Sequence, residues 1–160
     1  FTAMAALVVA GFTQACIIYN YSTDDMFTAK KDQGAYKNNN KLSLKEKPLP
    51  HIAMCKGRHI NSLTNILKAK KIVCEIAPNG GGYGFTAITE GKFAARFQLH
   101  SRGYIHDYAP GALLVLEAGG CIIPIKDKEY DYKCKSFVAC HPELEDMVRE
   151  NISAICELEI

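Results

Sequence analysis

The chain has 160 residues, of which 48% are hydrophobic and 22% are charged, and its formal net charge at pH 7 is +2. This composition is typical of a packed globular protein and excludes a disordered or collagen-like chain. The small charge also argues against a nucleic acid polymer as partner, because such binding needs clustered lysines and arginines that displace counterions from many phosphates.

Seven cysteines occur without a C-x-x-C pair and without the histidine spacing of a zinc finger. Reduced, mostly buried thiols are typical of a reducing compartment, so we expect a cytoplasmic protein. The first ten residues are apolar but lack a basic leading region and are too short to span a membrane, so we expect neither a signal peptide nor membrane association. Because Phe1 opens directly on a strand pattern, we expect the chain to be part of a longer protein.

Short apolar runs separated by turn residues predict an antiparallel sheet in the first part of the chain. The predicted strands are 5–10, 14–19, 26–29 and 34–36. Three asparagines at 38–40 and a lysine- and proline-rich stretch at 43–50 interrupt this pattern and predict a connection. We therefore divide the chain into residues 1–46, the remnant of an antiparallel-sheet domain, and residues 47–160, an α/β domain.

Strands and helices alternate from residue 51 onward. The predicted strands are 51–55, 72–76, 93–99, 121–125 and 137–140, and the predicted helices are 61–70, 83–90, 108–118 and 142–157. The last helix carries apolar residues at three- and four-residue spacing, which gives it one packing stripe. The expected fold class is α/β, or α+β overall, with antiparallel strands followed by a mixed sheet flanked by helices.

Residues 105–120 form the most informative segment and predict a helix with marked ends. Asp107 is predicted as the N-cap, since its carboxylate can accept the free amide hydrogens of the first turn. Pro110 lies early enough to spare the helix ladder, and Gly119 supplies a C-terminal stop. Local chemistry alone thus accounts for Asp107 as a cap, and a functional role needs further support.

That support comes from a resemblance. Residues 105–120 resemble the second signature of the inositol monophosphatase family, in which Trp-Asp opens a helix of small residues that ends in Glu-Ala-Gly-Gly. Residues 17–36 are similar to the family's hairpin after its first signature, and residues 137–144 resemble its last strand and helix. The resemblance covers nearly the whole chain and implies the carboxy-terminal part of the layered αβαβα sugar-phosphatase fold.

The resemblance implies that Asp107 is a metal ligand, that the cofactor is Mg²⁺, and that a metal-activated water attacks the phosphorus of a small phosphorylated substrate. Relatives carry a glutamate and an aspartate-rich signature before the point that corresponds to Phe1. Since one carboxylate cannot build an octahedral magnesium site, we expect the isolated chain to be inactive. A strand edge left without its neighbour also leads us to expect a homodimer.

Four further residues are candidate substrate contacts. Gly81 and Gly82 belong to the glycine-rich run 79–84 before a helix, where relatives contact substrate, although a plain flexible turn explains the glycines equally well. Gln98 stands where inositol-selective relatives carry a glutamate that contacts substrate hydroxyls. Arg58, followed by histidine, resembles a stretch of the 3'(2'),5'-bisphosphate nucleotidase branch, but a solvated loop pair is the simpler interpretation.

Departures from the family pattern leave the function open between two classes. His106 replaces the usual tryptophan and could ligate metal or fill the tryptophan's place, Pro110 replaces an alanine, and Asp32 replaces a glycine. The connection 99–105 is longer than in the inositol enzymes and approaches that of the nucleotidase branch. The favoured hypothesis is a metal-dependent phosphomonoesterase, and the alternative is a non-catalytic binding or regulatory domain that kept the fold.

Overall fold

Five antiparallel strands in sequential order form the first sheet of the computed structural model, which describes residues 1–55, 57–76, 81–99 and 104–158. The strands are β1 (Thr2–Val9), β2 (Phe12–Asn20), β3 (Asp25–Lys30), β4 (Gly34–Lys37) and β5 (Asn40–Leu42). Ala10 and Gly11, with φ of 50° and 83°, form the tight turn between β1 and β2. The predicted antiparallel sheet is confirmed.

The start of the connection after β4 differs from the prediction. The sequence indicated an interruption at 38–40, but Asn38 and Asn39 adopt φ of 47° and 67° and turn the chain back. Asparagine tolerates this left-handed region better than most residues. The chain therefore adds β5, which pairs antiparallel with β4.

The second sheet is mixed, as predicted, with strand order β7-β6-β8-β10-β9. Its strands are β6 (Ile52–Cys55), β7 (Val73–Ile76), β8 (Ala95–Gln98), β9 (Cys121–Pro124) and β10 (Phe137–Cys140). β6 runs parallel to β7 and β8, whereas β10 runs antiparallel to β8 and β9. The carboxyl ends of β6, β7 and β8 therefore lie at one edge of this sheet.

The α-helices are α1 (Ile60–Leu67), α2 (Gly81–Thr89), α3 (Ile105–Glu117), α4 (Glu145–Glu150) and α5 (Ile152–Glu157). The helix predicted at 142–157 is broken into a 3₁₀ turn (Pro142–Leu144), α4 and α5. At the second break, the Asn151 side chain donates a hydrogen bond of 2.9 Å to the Met147 carbonyl. Asparagine competes in this way with the backbone ladder, which ends α4.

The helices and sheets stack in layers. α2 and α3 lie between the two sheets, and one core of buried side chains joins all three, including Ile18, Phe27, Phe85, Leu114 and Phe137. A second core fills the other face of the mixed sheet beneath α1, α4 and α5. This layering confirms the predicted fold class. Because α3 packs on both sheets, the division at residue 46 stays a prediction.

No helix in the described ranges is long and apolar enough to cross a membrane.

Glu117, the last residue of α3, fixes the middle layer to the first sheet. Its Oε1 accepts a hydrogen bond from the Asp32 backbone amide and its Oε2 accepts one from the Gly34 amide, both at 2.8 Å. Asp32 and Gly34 have φ of 62° and 87° in the β3–β4 turn. The glutamate thus stabilises a turn with two left-handed residues.

We expect Glu117→Ala to lower the free energy of unfolding by about 2–3 kcal/mol, since two amides lose a charged acceptor in a partly buried place. Glu157→Ala, at an exposed position in α5, is the matched control and should change stability by less than about 0.5 kcal/mol. Urea unfolding followed by circular dichroism measures both. Equal stability of the two variants would contradict the structural role of Glu117.

Candidate active site

Most of the site residues predicted from the sequence lie at the carboxyl ends of the parallel strands. Arg58 follows β6, Gln98 ends β8, and Gly81 opens the helix after β7. Ligands of open α/β sheets bind at this edge. Asn79 and Gly80, and most of the 99–105 connection, lie outside the described residues.

Asp107 is the third residue of α3, so its prediction as the N-cap is wrong. Tyr104 occupies that place with extended backbone, at φ −97° and ψ 160°. The Asp107 Oδ2 accepts a hydrogen bond of 2.9 Å from the Tyr104 amide, and the Asp107 amide donates one of 2.9 Å to the Tyr104 carbonyl. The carboxylate therefore reaches back to the cap residue, as the acidic member of a capping box does. Its side chain stays 39% exposed, which leaves it accessible to a ligand.

His106 lies at the surface, with 76% of its side chain exposed. Its ring stacks on Tyr104, with centroids 5.3 Å apart, and its Nε2 lies 3.9 Å from the Asp107 Oδ1. His106 is therefore not packed in the core, and whether it ligates a metal or takes the tryptophan's place stays a prediction. The histidine instead covers one side of the exposed carboxylate.

Gly81 places the start of α2 against the start of α3. A Cβ added to Gly81 would lie 3.2 Å from the Asp107 carbonyl oxygen and 3.5 Å from the Asp107 Cβ. The absence of a side chain thus allows the two helix starts to approach. The start of α2 therefore lies beside the backbone of Asp107, the residue predicted as a metal ligand.

Gly82 is explained by packing. A Cβ there would lie 2.7 Å from the Thr2 Oγ1 and 3.0 Å from the Ile18 Cγ2, so α2 could not approach β1 and β2 with a larger residue. Because Gly82 is buried and has no side chain, its backbone amide is the group through which it could contact a substrate. Its substrate role stays a prediction.

Gln98 is 5% exposed, and its Oε1 accepts a hydrogen bond of 3.3 Å from the Arg96 Nη2. Sequence reasoning missed Arg96, whose Nη1 also donates to the Gly81 carbonyl at 2.6 Å. Burial lowers the pKa of Arg96, and the charges of Tyr108 and Asp107 oppose that shift. An arginine remains protonated in proteins, so a fixed cation lies close to Asp107.

Arg58 is exposed, and its Nε donates a hydrogen bond of 2.9 Å to the His59 Nε2. Burial, together with the charge of Arg58, lowers the pKa of His59. A neutral His59 ring can accept this bond, which orients the guanidinium at the strand edge. The structure thus connects Gly81 and Gln98 through Arg96, and Asp107 lies beside Gly81, whereas Arg58 contacts His59.

Magnesium prefers octahedral oxygen coordination by carboxylates, waters and phosphate oxygens. Across the described ranges, no group of three or more His, Cys, Asp or Glu side chains could hold a metal ion. Asp107 is the one carboxylate among the site residues predicted from the sequence, and its side chain is accessible. The residues described here therefore do not form a complete magnesium site.

Two sheets enclosing a helix layer, with two helix starts meeting beside Asp107, define a layered α/β protein. The sequence model of the inositol monophosphatase family matches residues 1–157. The chain therefore belongs to the inositol monophosphatase family. No curated protein sequence gives a significant match.

Several solved structures share the fold. The inositol monophosphatase (IMPase) of Thermotoga maritima superposes with a TM-score of 0.77 at 16% identity, over 99% of this chain and 63% of that chain. The IMPase-II of Staphylococcus aureus with bound inositol monophosphate gives a TM-score of 0.73 at 16% identity, over 96% and 64%. The extragenic suppressor protein suhB of Bartonella henselae gives 0.72 at 20% identity, over 98% and 64%. This chain thus spans less than two thirds of the length of these proteins.

Proposed function

We propose that this chain is part of a magnesium-dependent phosphomonoesterase that hydrolyses inositol monophosphate or a related sugar or nucleotide phosphate. The observation that carries the proposal is Asp107, an accessible carboxylate at the start of α3 beside the start of α2. Family membership over residues 1–157 supports the reaction class.

Related structures support the choice of substrate and cation. The S. aureus IMPase-II holds inositol monophosphate, and a dual specific IMPase/NADP phosphatase holds D-inositol-1-phosphate. A further IMPase family protein of S. aureus holds calcium, a divalent cation with oxygen ligands like magnesium. In this proposal Asp107 supplies one ligand, and the other carboxylates come from residues outside the described set.

The proposed substrate wall consists of Gly81, Gly82, Gln98 and Arg58. Gln98 offers a neutral amide where the resemblance implies a glutamate, so the wall carries less negative charge than that of an inositol-selective relative. A phosphate-release assay on the complete protein should therefore compare inositol monophosphate, a sugar phosphate and a 3'-phosphorylated nucleotide. Release from at least one of them, dependent on Mg²⁺, supports the proposal, and release from none contradicts it.

Residues 1–160 alone are expected to show no magnesium-stimulated phosphate release, because the single carboxylate Asp107 cannot hold the required cations. Colorimetric phosphate detection at millimolar substrate measures this. A turnover that rises with magnesium and vanishes in Asp107→Asn would show that this chain contains a complete site.

The alternative function is a binding domain without catalysis. The exposed His106, at the position where the resemblance implies a tryptophan, favours it. Calorimetric binding of inositol monophosphate to the complete protein without any phosphate release would support this alternative. We further propose a cytoplasmic location, which is supported by five buried cysteines among the seven.

A homodimer through the edge of β1 is expected for the isolated chain. β1 is uncharged, and Leu7 and Val9 on it are 58% and 52% exposed. An unprotected edge pairs with a second copy, and an added lysine blocks such pairing. In light scattering at high concentration, Ala5→Lys should convert dimer to monomer, whereas Ser153→Lys on α5 should not. A monodisperse monomer of the unmodified chain would contradict this prediction.

A further inference from the structure

Arg96 lies on β8, on the same strand face as Gln98, and its guanidinium enters the helix layer between the sheets. Its Nη1 donates to the Gly81 carbonyl at 2.6 Å and its Nη2 donates to the Gln98 Oε1 at 3.3 Å. The guanidinium carbon lies 4.7 Å from the centre of the Phe85 ring, which is a cation–π distance. One side chain thus contacts both the start of α2 and the end of β8.

Gly84 makes room for this arginine. A Cβ on Gly84 would lie 2.7 Å from the Arg96 Nη1 and 3.0 Å from the Arg96 Cδ. Glycine is disfavoured inside a helix, so its presence in the middle of α2 needs a reason. The packing of Arg96 against the helix backbone supplies that reason, and Gly84 and Arg96 form a complementary pair.

The start of α2 is also the part of the helix nearest to Asp107. The same Gly81 that accepts from Arg96 would, with a Cβ, lie 3.2 Å from the Asp107 carbonyl oxygen. Arg96 therefore acts on the position of three groups at once, namely the first turn of α2, the Gln98 amide and, through Gly81, the start of α3.

We infer that Arg96 is a positioning residue of this site, which fixes the start of α2 and the Gln98 amide beside Asp107 through a charged guanidinium fork. The inference rests on the proposed function, in which these groups form the substrate wall. Arginine suits this role because its planar donors address two acceptors in fixed directions. Lysine keeps the charge but cannot make both bonds in the same geometry.

Amide hydrogen exchange of the complete protein tests the positioning without any assay of turnover. In Arg96→Met, the amides of residues 81–86 should exchange at least about tenfold faster, whereas those of α4 should be unchanged. Arg96→Lys should show an intermediate increase. Unchanged exchange at 81–86, or equal acceleration in α4, would overturn the inference.

Gly84→Ala should disrupt the same contacts of Arg96 with the start of α2, since the added Cβ displaces the Arg96 guanidinium. As a single substitution, Gly84→Ala should accelerate amide exchange at 81–83 as Arg96→Met does. In an Arg96→Ala background it should accelerate exchange little further, because both substitutions remove the same interaction. Additive effects in the double variant would contradict the pairing of Gly84 with Arg96.

Steady-state kinetics with inositol monophosphate connect Arg96 to the substrate wall. Arg96→Met should raise KM about tenfold while kcat falls by less than about threefold, with Arg96→Lys restoring part of the loss. An equal fall of kcat and kcat/KM would overturn the role in substrate placement. If the wild-type protein releases no phosphate from any ester, the proposed function fails, whereas the exchange result still decides whether Arg96 orders the start of α2.

Discussion

Asp107→Asn is expected to lower the turnover of phosphate esters by the complete protein at least about 100-fold, since loss of a carboxylate ligand removes several kcal/mol of cation-based stabilisation of the transition state. The fold should survive. The asparagine oxygen can still accept the hydrogen bond from the Tyr104 amide, which Asp107 receives at 2.9 Å. Only the favourable charge at the helix start is lost, at a cost of about 0.3–1 kcal/mol.

Asp146→Asn is the matched control, because Asp146 is an exposed carboxylate in the first turn of another helix, α4. It should change stability as little as Asp107→Asn does and leave turnover unaffected. Thermal melting and phosphate release on the same preparations separate the two roles of Asp107. Near wild-type turnover in Asp107→Asn would show that Asp107 acts only in capping the helix.

Gly111→Ala is expected to lower the free energy of unfolding by about 2–3 kcal/mol, through overpacking where α2 crosses α3. A Cβ at Gly111 would lie 2.0 Å from the Phe85 Cδ2. Phe85 cannot easily yield, because its ring stacks at 6.1 Å on Phe137 and is covered by the Arg96 guanidinium at 4.7 Å. The loss should appear although alanine is the better helix former by about 1 kcal/mol.

Ser153→Ala, at an exposed position in α5, introduces the same side chain without a clash and should stay within about 0.5 kcal/mol of the wild type. Urea unfolding of both variants measures the difference. A Gly111→Ala protein as stable as the wild type would show that the helix crossing relaxes freely. Such a result would contradict the tight packing of α2 against Arg96 that the structure shows.

The sheets were predictable because their signals are local. Residues 137–140 were predicted as a strand and form β10 with the same bounds, since four consecutive buried residues lie between turn signals. The order in which strands pair depends on residues far apart in the sequence, so local patterns do not reveal it. β6 lies between β7 and β8, and the chain connects these three strands through parallel crossovers. β5 was missed because Asn38 and Asn39 serve equally well in a tight turn and in an open connection.

The site was predictable only in part. The metal role of Asp107 comes from the resemblance and stays a prediction. Its predicted place in the helix was wrong by three residues, because the sequence does not show that the helix is capped at Tyr104. The sequence does not mark Arg96 as a buried residue of the site, since a cationic side chain within a strand is usually solvated. The glycine at 84 was the one hint, because a small residue inside a helix often marks close approach of another group.

Phosphate release from inositol monophosphate by the complete protein, titrated with Mg²⁺ against a chelator, decides whether Asp107 serves as a magnesium ligand in a phosphomonoesterase. We expect no release in the chelator and a saturable rise with magnesium, which Asp107→Asn abolishes. Release that persists unchanged in the chelator, or that Asp107→Asn leaves intact, would contradict the assignment of Asp107 as a magnesium ligand in a phosphomonoesterase.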